Sequence, residues 1–142
     1  MTVAALPGIA FHHVGLLTDE PDAAADALTL LGYCVAEPVF DPLQGVNLRM
    51  AEAPARGSHI ELITPASPDS PLAKLVTRRG AYMYHSCFTV PDVQEALNAF
   101  VAKGLRVSTV STPKPAVLFG GRQVSFHSVT GIGLVEFIED AR

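Results

Sequence analysis

The chain has little cysteine, no excess of positive charge and no long apolar run, and each shortage closes off a class of protein. Two cysteines in 142 residues, Cys34 and Cys87, do not make a disulfide scaffold and point to a reduced, cytoplasmic setting. Ten basic residues stand against fourteen acidic ones, a formal charge of −4, which argues against a nucleic-acid surface. No apolar run approaches the roughly 18 residues that a spanning helix needs. Residues 1–10 lack the basic flank and apolar core of a leader. What is present is a globular composition, 49% hydrophobic and 17% charged, with a mean hydropathy of +0.30. A chain of this length can bury roughly 68–70% of its unfolded surface, enough for one domain without staples. The positive hydropathy leaves sheet faces more apolar than one core explains, so a homodimer is expected.

An internal repeat organises the chain. Residues 11–17 read as a strand, acids at 19–22 suit a helix start, residues 23–31 read as a helix, and Gly32 stops it. Residues 82–90 are again a strand, Pro91-Asp92 opens a helix over 93–103 with apolar residues at helical spacing, and Gly104 stops that one. His85 follows His13 by 72 positions, and Gly104 follows Gly32 by the same 72. Strands are expected at 33–40, 46–51 and 58–64 in the first half, and at 105–110, 122–129 and 133–138 in the second. Each half is therefore a βαβββ unit: module 1 over 9–64, a proline-bearing linker with a short helical patch over 65–80, and module 2 over 81–140. Neither half has a face to bury against except its twin. The expectation is one α+β domain over 1–142, two modules paired into a curved mixed sheet around a metal site.

The metal enters through four residues at matched places. Each half carries a histidine on its first strand and a glutamate on its last: His13 and Glu61, then His85 and Glu136. Neutral imidazole and carboxylate suit divalent Ni, Co, Mn or Fe better than a closed thiolate zinc site, although zinc remains among the candidates. Strand alternation puts His13 on a face with Phe11 and Gly15, and Glu136 on an apolar face with Leu134 and Ile138, where an unpaired carboxylate would be costly. His12, His59 and His127 are expected near the site or at the surface rather than as ligands. Cys87 shares a strand face with His85. Gly120-Gly121 can bring backbone amides to a phosphate or carboxylate, Arg122 can clamp one, and Lys114 sits in a stiff loop between two prolines.

The stretches His12-His13-Val14-Gly15, Gln44-Gly45-Val46, Ile60-Glu61-Leu62, Gly120-Gly121-Arg122 and Gly133-Leu134-Val135-Glu136 resemble the vicinal-oxygen-chelate, or glyoxalase-like, superfamily, and within it the methylmalonyl-CoA epimerases. The resemblance implies the paired βαβββ fold, metal ligands at His13, Glu61, His85 and Glu136, a substrate residue at Gln44, and a small-molecule substrate such as an acyl-CoA. It also marks departures. Epimerases usually carry glutamine where this chain has Glu61, and a glutamate base where it has Leu48; the second ligand histidine follows Tyr84 instead of another histidine. With Leu48 at the base position, Glu61 and Glu136 are the catalytic candidates, one for each face of a planar enolate. Either would have to loosen from the cation to act as a base. Glutathione-linked glyoxalase chemistry, an iron dioxygenase and a small-molecule-binding or resistance protein are the rival readings.

Overall fold

The computed structural model describes residues 4–141, so the first three positions of the leader-free N-terminal reading lie outside the described residues. Among the described residues, nine strands form one mixed sheet. Module 1 supplies β1 (Ala10–Leu17), β2 (Cys34–Val35), β3 (Val39–Asp41), β4 (Val46–Glu52) and β5 (His59–Pro65), with α1 (Pro21–Leu30) between β1 and β2. Module 2 supplies β6 (Tyr82–Val90), β7 (Val107–Pro115), β8 (Gln123–Val129) and β9 (Gly133–Glu139), with α3 (Val93–Ala102) after β6. The strand order is β2-β4-β5-β1-β6-β9-β8-β7, with β3 also on β4. The twins therefore meet along the antiparallel β1·β6 pair, and each first strand runs parallel to its module's last. The strand expected over 33–40 is broken into β2 and β3, because Pro38 between them has no N–H for a ladder.

Local sequence accounts for the helices. Pro21 opens α1 and Asp92 caps α3 by accepting from Glu95 N–H at 3.0 Å. Gly32 and Gly104 take φ of 97° and 80° just past the two helices, a left-handed turn that residues with a Cβ resist. Both helices pack on one side of the sheet, α1 over Ala51, Ile60 and Leu62, α3 over Val129, Val135 and Phe137. The linker helix α2 (Pro71–Arg79) does otherwise. Capped by Ser70, it drives Val76 into Leu17, Val46, Leu48 and Ile63 on the opposite side, the one that carries the site.

Two bulges interrupt the β1·β6 ladder. Phe11 faces Phe88 and His13 faces Cys87, which leaves His12 as an extra residue; Gly15 faces His85 and Leu16 faces Met83, which leaves Tyr84 as another. His12 and Tyr84 occupy twin positions, directly before His13 and His85. The first bulge corrects the alternation read from sequence. Phe11 does not share His13's face; it lies edge-on to Phe88, at 5.5 Å between centroids, on the α3 side.

Candidate metal centre

The four residues on twin positions converge. His13 stands on β1, Glu61 on β5, His85 on β6 and Glu136 on β9, the four central strands of the sheet. One ligand atom from each lies within 4.8 Å of all the others. His13 Nε2 is 3.3 Å from His85 Nε2, 3.3 Å from Glu136 Oε1 and 3.7 Å from Glu61 Oε1. His85 Nε2 is also 3.3 Å from Glu136 Oε1. The strand register explains the convergence: Gly15 lies between Glu61 and His85, and its twin Cys87 lies between His13 and Glu136. One chain supplies all four, so the cluster needs no second copy.

Gly15 is there for its missing side chain. A Cβ on it would collide with Cε1 and Nδ1 of the His85 ring and stand 2.8 Å from Nε2. The ring sits over the strand at Gly15 and is boxed edge-on by Phe126 at 5.1 Å and Tyr84 at 5.6 Å. At the twin position Cys87 keeps its side chain and is fully buried. Burial, reinforced by the Glu136 carboxylate, pushes its thiol far up, so it stays protonated and unreactive.

The donor set fits a divalent cation. All four side chains are at most 4% exposed, and Glu61 Oε2, His85 Nδ1 and Glu136 Oε1 are buried without a hydrogen bond. Each unsatisfied buried polar atom costs about 1–3 kcal/mol, more when charged, so three in one cluster call for a counter-charge. Without an ion, the proton takes that part. Burial alone would lower the His13 imidazolium, but the Glu136 and Glu61 carboxylates beside it outweigh that and raise the pKa from 6.5 to about 9. Burial alone would raise Glu136, but His13 and His85 bring it from 4.5 down to about 2.

A pH dependence follows for the metal-free chain. The stabilisation from raised His13 is complete below 6.5 and lost as pH climbs through about 9; that from depressed Glu136 is complete above 4.5 and lost as pH falls toward about 2. Metal-free protein is therefore expected to melt highest between these inner limits, and at lower temperature by pH 9.5. Metal-loaded protein should gain over the same rise, because the ion needs the unprotonated imidazole. Melting curves with and without chelator check this; a flat metal-free profile from pH 6.5 to 9.5 would contradict it.

Beside the cluster lies a cavity of about 170 Å³. Its wall is mostly apolar, with Leu48, Ile63, Leu72 and Phe126, and its polar lining includes Gln44, Ser111 and Lys114. Glu61 opens onto it; Glu136 is not among its lining residues. Gln44 is held by buried Asp41, which accepts its side-chain amide at 2.8 Å. Lys114 belongs to β7, opposite Val124, and not to the loop expected from its flanking prolines; bulged pairing lets the strand carry them. Arg122 is engaged elsewhere, donating to Asp140 Oδ1 at 3.0 Å and to the Glu139 carbonyl at 3.2 Å, and with Gly121 it lines a separate depression. His59 Nδ1 accepts from Ala53 N–H at the surface, and His127 lies on the helix side between Thr109 and Ser125. Tyr84, marked in sequence only as the residue before His85, lines the cavity, where burial raises its phenol pKa and keeps it neutral. The signal available in sequence was its twin relation to His12.

The comparisons with known proteins agree with this fold. The family model described as the glyoxalase/bleomycin resistance protein/dioxygenase superfamily matches residues 12–126. Among solved structures, methylmalonyl-CoA epimerase from Mycobacterium tuberculosis is similar at 21% identity and a TM-score of 0.74, covering 93% of this chain and 88% of that one. A hypothetical protein from Bacillus halodurans C-125 is 26% identical with a TM-score of 0.74, over 95% and 96% of the two chains. The Streptomyces coelicolor methylmalonyl-CoA epimerase in complex with 2-nitronate-propionyl-CoA is 22% identical with a TM-score of 0.70, over 93% and 97%. No curated protein sequence matches the chain. No helix among the described residues is long and apolar enough to cross a membrane.

Proposed function

This chain belongs to the glyoxalase/bleomycin resistance protein/dioxygenase superfamily, and on that footing we propose that it is a metal-dependent epimerase or isomerase, moving a proton α to the carbonyl of an acyl thioester. The observation that carries the reading is Glu61, which belongs both to the buried four-ligand cluster and to the wall of the adjoining cavity. His13, Glu61, His85 and Glu136 would hold a divalent ion, which supplies Lewis-acid polarisation of a substrate oxygen when bound.

The chain's own groups do the rest. Glu136, contacted by both histidines in the depth of the cluster, anchors. Glu61 reaches into the cavity and takes the proton from the carbon beside the carbonyl, a contribution of roughly 10²–10⁴-fold for a placed base. Inversion is completed by a proton delivered to the opposite face, for which the Tyr84 O–H in the cavity is the available donor, reprotonated from solvent. Leu48, Ile63, Leu72 and Phe126 keep water from that carbon and receive its apolar substituent. Tyr84 offers a neutral O–H from the same wall, and Lys114 and Ser111 offer polar contacts to the remainder of the substrate. The structural neighbours include a methylmalonyl-CoA epimerase bound to methylmalonyl-CoA, which makes that thioester the first to try. A glyoxalase reading has its own support, since a single carboxylate on the cavity suffices for a proton shift on one face of a hemithioacetal.

The test is two measurements on one preparation. Elemental analysis should find about one divalent ion per chain in wild type and little in His85→Ala. Metal-loaded wild type in deuterated buffer should then place deuterium at the α carbon of methylmalonyl-CoA or, on the second reading, in the product from a glutathione hemithioacetal. Metal without exchange on any thioester or hemithioacetal would move the protein to the binding class, and absence of metal in protein loaded with Ni, Co and Mn would overturn the site.

A further inference from the structure

We propose that His12 is a positioning residue of the metal centre: its Nδ1 accepts the Nδ1–H of His13 and so holds that ring with Nε2 turned to the other three ligands. This rests on the metal reading above and adds to it a residue outside the ligand set. On a regular strand the residue before His13 would point to the helix side. The bulge at His12 removes it from the ladder and delivers its ring to the site side instead. There the two Nδ1 atoms stand 2.8 Å apart.

The direction of that bond follows from the other end of the ring. His13 Nε2 is the atom that faces Glu61, His85 and Glu136, so its lone pair belongs to the ion and its proton must sit on Nδ1. A bond between two ring nitrogens needs one donor and one acceptor. His12 Nδ1 therefore accepts, and His12 carries its own proton on Nε2. Phe119 fixes the pair, edge-on to His12 at 5.3 Å and stacked on His13 at 5.7 Å between centroids.

The twin site lacks this device. Tyr84 occupies the matching bulge, meets His85 only edge-on, and leaves His85 Nδ1 without a hydrogen bond. His85 is instead held by packing, over Gly15 and against Phe126. One ligand histidine is thus oriented by a hydrogen bond and the other by shape.

Two variants and one spectrum test the proposal. His12→Phe keeps a ring against Phe119 and removes the acceptor; His12→Asn returns an acceptor oxygen close to where Nδ1 was. Competition with a chelator for Co²⁺ should show affinity weakened about 10–100-fold in His12→Phe, the usual cost of losing such a support, and largely recovered in His12→Asn. In zinc-loaded wild type, long-range nitrogen–proton NMR should find His13 protonated on Nδ1 and His12 on Nε2. Affinity within twofold of wild type in His12→Phe, or a proton on His12 Nδ1 in the zinc form, overturns the proposal while the metal centre stands. Should wild type hold no ion, the metal reading itself fails and takes this proposal with it. If His12→Phe does not fold, the wild-type spectrum decides.

Discussion

Glu61→Gln should keep its divalent ion and lose proton exchange at the α carbon by about 10²–10⁴-fold, the range for removing a placed general base. Glu136→Gln should do the reverse and lose the ion first. The two carboxylates look equivalent in sequence, but their surroundings differ. Glu61 lies on the cavity wall, so its amide analogue still offers an oxygen ligand while having no site for a proton. Glu136 contacts both imidazoles at 3.3 Å and is 1% exposed, so its negative charge is what the cluster is built around. Metal content and exchange measured on the same two variants separate the roles. Full metal in Glu136→Gln with equal loss of exchange in both would assign the carboxylates alike, as expected from the repeat alone.

Gly15→Ala should cost the protein its ion although it alters no ligand. The new methyl would occupy the place of the His85 ring, which has Phe126 and Tyr84 against it and cannot retreat without leaving the cluster. Overpacking of this kind costs typically about 1–3 kcal/mol in stability. Displacing a ligand should lower metal affinity by at least the 10–100-fold seen for lost supporting contacts. Cys87→Ala at the twin position is the control. It removes a neutral, buried thiol, creates a small void, and should leave the metal stoichiometry unchanged. Chelator competition and thermal melts on the two variants check the contrast. Gly15→Ala protein with wild-type affinity would mean that His85 is not held by this contact.

Much of this molecule is carried by local pattern. The helices follow from apolar spacing, acids or proline at their starts and glycines just past their ends, all short-range effects that hold wherever the segment lies. The repeat adds long-range information that one helix or strand lacks. Two copies of a half-buried unit can satisfy each other, so the offset of 72 made His13 and His85 equivalent, and their places on the last strand of each half made Glu61 and Glu136 equivalent. That is why the fold, and the four residues that the sheet brings together, could be read without coordinates.

What pattern could not supply depended on how the strands are offset against one another. Alternation assumes an unbroken ladder, and one extra residue reverses every face beyond it. The bulges at His12 and Tyr84 therefore decided that Phe11 lies away from the site, that His12 touches His13, and that Tyr84 reaches the cavity. The same holds for the loop residues. Lys114 and Arg122 look alike as basic residues beside turns, yet β7 carries the first to the cavity wall, while the second pairs with Asp140 elsewhere. The sequence by itself determined which side chains are equivalent; only the tertiary structure decided which equivalents differ, because the pairing of β1 with β6 places glycine under His85 and cysteine beside His13.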